Sequence, residues 1–366
     1  MTRRALLTSA LLAGCGRKLA PRYFGWLFVA SASERGIAVA DLAEFRRAGT
    51  ISLNQIPGSV LRSGERVFVT CPDVHSISVI DPSRLSVSGK IDVPGQIVAA
   101  AIVPGSGALA VLIRQPALLL LIDPASGRVT KKIRLPAAPL GFDINDRMSA
   151  VAVGGSIVRV SITDAEVLGT TAIGADCGPV RFRVDGETIL AGVPHLKEVV
   201  TVDAASGALL ARLTMPFAPA RFCFNEDGGQ MFVTGMDGDA IVIVDTFQNQ
   251  VDETFIAGSK PYGMAVGSSD GQSLLFVTNT GSGNLTIFDI DTRHLAASVY
   301  VGGNPGEVLL TPGGEYALVI GRDSGDVSVI RLQTVLNRGI RTKPLFTVFA
   351  TGTAPRSAAI IPSRQL

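Results

Sequence analysis

Short apolar runs recur along this chain at a nearly constant interval. The clearest are Val67-Phe68-Val69-Thr70, Met231-Phe232-Val233-Thr234 and Leu275-Phe276-Val277-Thr278. Equivalent runs begin at Trp26, Leu109, Ile189 and Ala317, and a shorter one, Ala150-Val151-Ala152-Val153, falls in phase with them. About ten residues later comes a second apolar run that usually ends in Asp, as in Ile77-Ser78-Val79-Ile80-Asp81. Asp41, Asp123, Asp203, Asp245 and Asp289 hold the same place, and Ser161 and Arg331 replace the Asp in two divergent copies. Successive copies of this position lie 40, 42, 38, 42, 42, 44 and 42 residues apart. Runs this short, rich in β-branched residues and bounded by turn residues, predict strands rather than helices.

A third strand follows each Asp, as in Val87-Ser88-Gly89-Lys90-Ile91-Asp92-Val93. A fourth is predicted to begin at Pro57, Pro94, Pro139, Pro179, Pro219, Pro261, Pro305 and Pro355, because Pro lacks a donor and suits a strand's first residue. Turns such as Pro312-Gly313-Gly314 then lead into the next copy. Four short strands joined by hairpin-length turns make one blade, which cannot bury both faces alone and must stack in a ring. The expected fold is therefore all-β: a β-propeller of four-stranded antiparallel blades, with eight blades, or seven if the copy around Val151 to Ser161 is malformed. The chain starts on a second-type strand at Trp26 and ends on a first-type strand, Ser357 to Ile361. The last strand should therefore complete the first blade and close the ring.

The composition agrees. Of 366 residues, 47% are hydrophobic and 17% charged, with 40 glycines and 20 prolines, so disorder is excluded and many tight turns are expected. A formal charge of +2 and the lack of a basic helix or aromatic-basic stripe argue against nucleic acid as a partner. The Phe-Val-Thr strands, with Thr278-Asn279 and the Ser-Val-Ile-Asp element, resemble the YVTN-type β-propeller repeat family across nearly the whole mature chain. That resemblance implies the fold. It leaves the function open, because relatives include surface-layer proteins, DNA-binding periplasmic propellers, lactonase-like hydrolases and propeller parts of quinoprotein and haem dehydrogenases.

Residues 1–14 read as a signal peptide, with Arg3 and Arg4 before a short apolar stretch from Ala5 to Ala13. Leu12-Ala13-Gly14-Cys15 resembles a bacterial lipobox, which would put a lipid on the Cys15 thiol, whereas an ordinary signal peptide with an incidental Cys is the alternative. Thr2-Arg3-Arg4-Ala5-Leu6-Leu7 also resembles a twin-arginine motif, which leaves the export route open. Residues 15–25 would be a tether and 26–366 a single propeller domain, held at the envelope facing the periplasm or cell surface. Gly16 after the Cys favours the outer membrane. Cys71, Cys177 and Cys223 are odd in number and lie in or beside apolar strands, so they read as core.

Most eye-catching polar residues have a structural reading. Each repeated Asp precedes a turn whose amides it can cap. His75, His195 and His294 show no metal-ligand spacing, and no CxxCH, GxSxG or P-loop sequence occurs. Asp237-Gly238-Asp239 and Asp323-Ser324-Gly325-Asp326 supply only two carboxylates each and read as turns. No metal or cofactor is expected.

Ring geometry points to a ligand site. Propellers bind at the mouth of the central channel, where the innermost strands start. Two positions after each Pro stand Ser59, Gln96, Gly141, Arg181, Arg221, Gly263, Glu307 and Ser357, with Lys260, Tyr262 and Arg356 adjacent. Arg181 and Arg221 hold equivalent places in neighbouring blades, so an anion is expected between them unless each pairs locally with Asp176, Asp185 or Glu226. The site residues expected are Arg181, Arg221, Lys260, Tyr262, Glu307 and Arg356. The leading expectation is a lipid-anchored, monomeric binding or scaffolding propeller for a protein or small anionic ligand, without catalysis. A lactonase-like hydrolase is the first alternative, and a propeller subunit of a quinoprotein-type dehydrogenase system the second.

Overall fold

A computed structural model describes residues 23–336, 343–352 and 354–362. The expected signal segment, Cys15 and most of the expected tether lie outside the described residues. The chain forms eight four-stranded antiparallel sheets, one per repeat, so the count of eight holds and the copy around Val151 is a complete blade. Blade 1 is built from Gly25–Ser31, Gly36–Asp41 and Arg46–Ser52, with the C-terminal strand Pro355–Pro362 as its innermost member. Trp26 faces Ile361 and Phe28 faces Ala359 across that junction. Ring closure thus rests on strand pairing, as the strand order predicts.

Blades 2 to 8 follow in sequence, each running from the innermost strand outward. Their innermost strands are Val60–Ser63, Ile97–Ile102, Gly141–Ile144, Val180–Phe182, Pro219–Phe224, Pro261–Ser269 and Pro305–Leu310. In blades 1, 6, 7 and 8 the strand starts on the Pro itself. In blades 2 to 5 pairing begins one to three residues later, because the Pro there lies in the connection rather than in the ladder.

The middle strands are buried on both faces, since a neighbouring blade covers each side. The core accordingly divides into eight apolar clusters, each spanning two adjacent blades. Phe28, Phe68, Phe232 and Phe276 are fully buried anchors among them. Each such side chain contributes on the order of 2 kcal/mol by leaving water. The outermost strands carry exposed polar residues, and each pairs with its neighbour through a register shift at the same place in all eight blades. Such bulges twist a free edge away from further strand addition. This device was not legible in the repeat.

Candidate functional site

The innermost strands of blades 6, 7, 8, 1, 2, 3, 4 and 5 pack in that order around the channel, and blade 5 meets blade 6 to complete it. Inside lies a cavity of about 540 Å³. Six of the eight residues expected two positions after each Pro line it: Gly141, Arg181, Arg221, Gly263, Glu307 and Ser357. Ser59 and Gln96 are not among the lining residues. Val60, next to Ser59, donates its N–H to Ser357 Oγ at 3.3 Å instead, tying blade 2 to blade 1.

A smaller cavity of about 170 Å³ adjoins the channel and shares Arg221, Glu307 and Ser357 with it. Tyr262 and Arg356 line this side cavity, as expected of the mouth. Lys260 lines neither of these two cavities. It sits exposed in the connection before blade 7 at φ 53°, and its N–H donates to Asp239 Oδ1 at 2.9 Å.

Arg322 is the residue the sequence reading missed. It follows the second strand of blade 8 and lines the side cavity. Its guanidinium carbon lies 5.0 Å from the centre of the Tyr262 ring, and that of Arg221 lies 3.9 Å from the same centre. The available signal was a cation directly after Tyr316–Gly321, a position where blade 3 also carries an arginine, Arg114. Among the described residues, none of Arg181, Arg221, Arg322 and Arg356 forms an ion pair with a carboxylate. The expected local pairing fails for a clear reason. Asp185 is taken by Arg183 at 2.7 Å, and Arg181 donates to the Val180 carbonyl at 3.0 Å.

Two half-buried carboxylates face this cationic set. Burial pushes the Glu307 carboxyl above its ordinary value, opposed by the Ala358 N–H, which donates to Oε2 at 3.3 Å, and by the charge of Arg221. Burial likewise raises Asp143, opposed by Arg181 and by the Phe182 N–H, which donates to Oδ2 at 2.7 Å. Asp143 went unnoticed in the sequence because nothing marks it beyond a carboxylate in an innermost strand. Four guanidiniums against two carboxylates leave the mouth positive, with Arg221 half-buried and Arg181, Arg322 and Arg356 exposed.

The other polar candidates have structural employment. Asp81 accepts from the Ser83 N–H and hydroxyl, Asp203 from those of Ser206, and Asp289 from those of Thr292. These hydrogen bonds hold the three carboxyls below the ordinary range. Asp237 accepts from the Ala218 N–H and from Lys197, and Asp326 from Ser324. His75 and His195 lie in equivalent short 3-10 turns of blades 2 and 5, and His294 in the turn between the third and fourth strands of blade 7. The three thiols are free, with Cys71 and Cys177 buried and Cys223 half-buried. Burial raises the Cys71 thiol and pushes Cys177 and Cys223 up to about 11, so all three are protonated at neutral pH.

No protein-family model matches the chain, and no curated protein matches it either. Solved structures do. A dihydro-heme d1 dehydrogenase, NirN, in complex with DHE superposes on 92% of this chain and 75% of its own, with TM-score 0.75 and 13% identity. The hydrazine synthase of Kuenenia stuttgartiensis gives TM-score 0.56 and 21% identity over 75% of this chain and 95% of that one. The Cps50 (Swd1) β-propeller domain of Myceliophteria thermophila gives 0.58 and 15% over 75% and 95%. At these identities the likeness is one of fold.

Proposed function

We propose that this chain is an envelope-anchored binding propeller that takes an anionic ligand, or an acidic group of a protein partner, at the mouth of its central channel. One observation carries the reading. Arg181, Arg221, Arg322 and Arg356 line two adjoining cavities, and among the described residues none of them forms an ion pair with a carboxylate. Four guanidiniums outnumber the two carboxylates near them, and flat Arg forks suit an added carboxylate or phosphate. The lipobox-like Leu12-Ala13-Gly14-Cys15 supports a lipid tether at Cys15, and the Phe-Val-Thr repeats support kinship with YVTN-type propellers. On this reading the monomer faces the periplasm or cell surface. A lactonase-like alternative would draw on a His at the mouth, and all three histidines lie outside the lining of both cavities.

Thermal-shift screening of carboxylates and phosphates against the wild type and an Arg181→Ala/Arg221→Ala double variant tests the site. Ligand-induced stabilisation should be lost in the variant, and shifts that persist unchanged would overturn the reading. The tether is tested separately. Cys15→Ser should move the protein from membranes to the soluble fraction of an expressing bacterium, and unchanged membrane association would refute it.

A further inference from the structure

We infer that the side cavity formed by Arg221, Tyr262, Arg322 and Arg356 takes the dianionic head of a phosphate monoester, whose organic body lies in the adjoining channel. The inference deepens the anion-binding reading and rests on it. Three guanidiniums and one carboxylate, Glu307, line this cavity, so it carries two positive charges in excess. A monoanion would leave one of them uncompensated, whereas a doubly charged oxyanion balances the set. The Tyr262 ring brings Arg221 and Arg322 within 5.0 Å of one point, and its electron-rich face lowers the cost of holding two cations together. That arrangement presents guanidinium donors from two blades to one group. Arg356 adds a third from blade 1, on the closing strand. A tetrahedral oxyanion uses donors from several directions better than a flat carboxylate does.

The second half of the ligand follows from the neighbouring space. The side cavity, at about 170 Å³, has room for little beyond the head, but it shares Arg221, Glu307 and Ser357 with the 540 Å³ channel beside it. Met264 and Leu309, both half-buried, supply apolar surface there. A free oxyanion would leave that surface unused, whereas a monoester places its charge among the arginines and its apolar part on these side chains.

Calorimetric titration of the mature protein with phenyl phosphate, phenyl sulfate and inorganic phosphate at about pH 7.5 tests both parts. The two phenyl esters share a shape, but only the phosphate is a dianion there, its second pKa lying near 6. Phenyl phosphate should bind about tenfold or more tighter than either other probe. Arg322→Ala, at an exposed position, should cost phenyl phosphate about tenfold while leaving phenyl sulfate nearly unchanged. Equal affinity for the two phenyl esters, both lost in Arg221→Ala, would overturn the dianion inference and leave the anion site standing. Inorganic phosphate binding as tightly as phenyl phosphate would overturn the ester part. If none of the three probes bound and carboxylates failed as well, both readings would fall together.

Discussion

The guanidinium carbon of Arg221 lies 3.9 Å from the centre of the Tyr262 ring, which joins the innermost strands of two neighbouring blades by a cation–π contact at the channel mouth. The ring holds the arginine side chain in place before any ligand arrives. Such preorganisation lowers the ordering cost of binding. Tyr262→Phe should therefore keep both stability and anion affinity. Tyr262→Leu should cost about 1 kcal/mol in chemical denaturation and weaken anion binding severalfold. A Leu variant that binds as the wild type does would remove the ring from this role.

Gly263 lies at a close approach of blades 7 and 8. A Cβ there would stand 2.4 Å from the Gly306 carbonyl oxygen and 2.9 Å from Thr278 Oγ1. The obstacle is backbone of the next blade, which cannot rotate aside. Gly263→Ala should destabilise the chain by about 1–3 kcal/mol and widen the mouth, as urea midpoints and ligand titration would report.

Arg159 is only 7% exposed and grips the blade 5 turn from blade 4. Its Nη1 donates to the carbonyls of Ala204, at 3.1 Å, and Ala205, and its Nη2 donates to that of Ser206 at 3.0 Å. Replacing it with Ala should cost about 3 kcal/mol, because charge-assisted hydrogen bonds are lost and a cavity opens. Arg159→Lys should recover less than half of that, since one ammonium cannot reproduce the planar fork. Equal stability of Lys and wild type in urea would contradict the clamp.

The sign of the pH effect at Glu307 follows from its raised carboxyl. A folded-state value above the unfolded one means that the folded chain holds the proton longer, so stability falls as pH rises from about 4.3 through the raised value. Glu307→Gln should thus raise the urea midpoint at neutral pH and match the wild type near pH 4. A lower midpoint for Gln at neutral pH would show that the charge of Glu307 among the arginines outweighs its burial.

Ending the chain at Gly352 removes Pro355–Pro362 and every pairing to Gly25–Ser31 on that side. Both the first blade and its contacts with blades 8 and 2 lose a strand. The melting temperature should fall by on the order of 10 °C or more. An unchanged melting curve would refute closure by the last strand.

The repeat made the blade number and the closing strand legible, because both depend on local pattern and order along the chain. The capping role of Asp81, Asp203 and Asp289 was legible for the same reason, since each partner lies within three residues. Counting from the prolines also found six lining residues of the channel, since six of the eight innermost strands enter it with nearly the same register. Lys260 lines neither cavity and sits on a left-handed turn that recurs before the innermost strand at Asn304 and Ala354. The counting missed Arg322, which reaches Tyr262 from the second strand of the next blade rather than from an innermost one. The sequence by itself determined the fold, because strand periodicity and turn chemistry act over a few residues. Only the tertiary structure decided which cations share the mouth, because ring closure brings together irregular residues far apart in the chain.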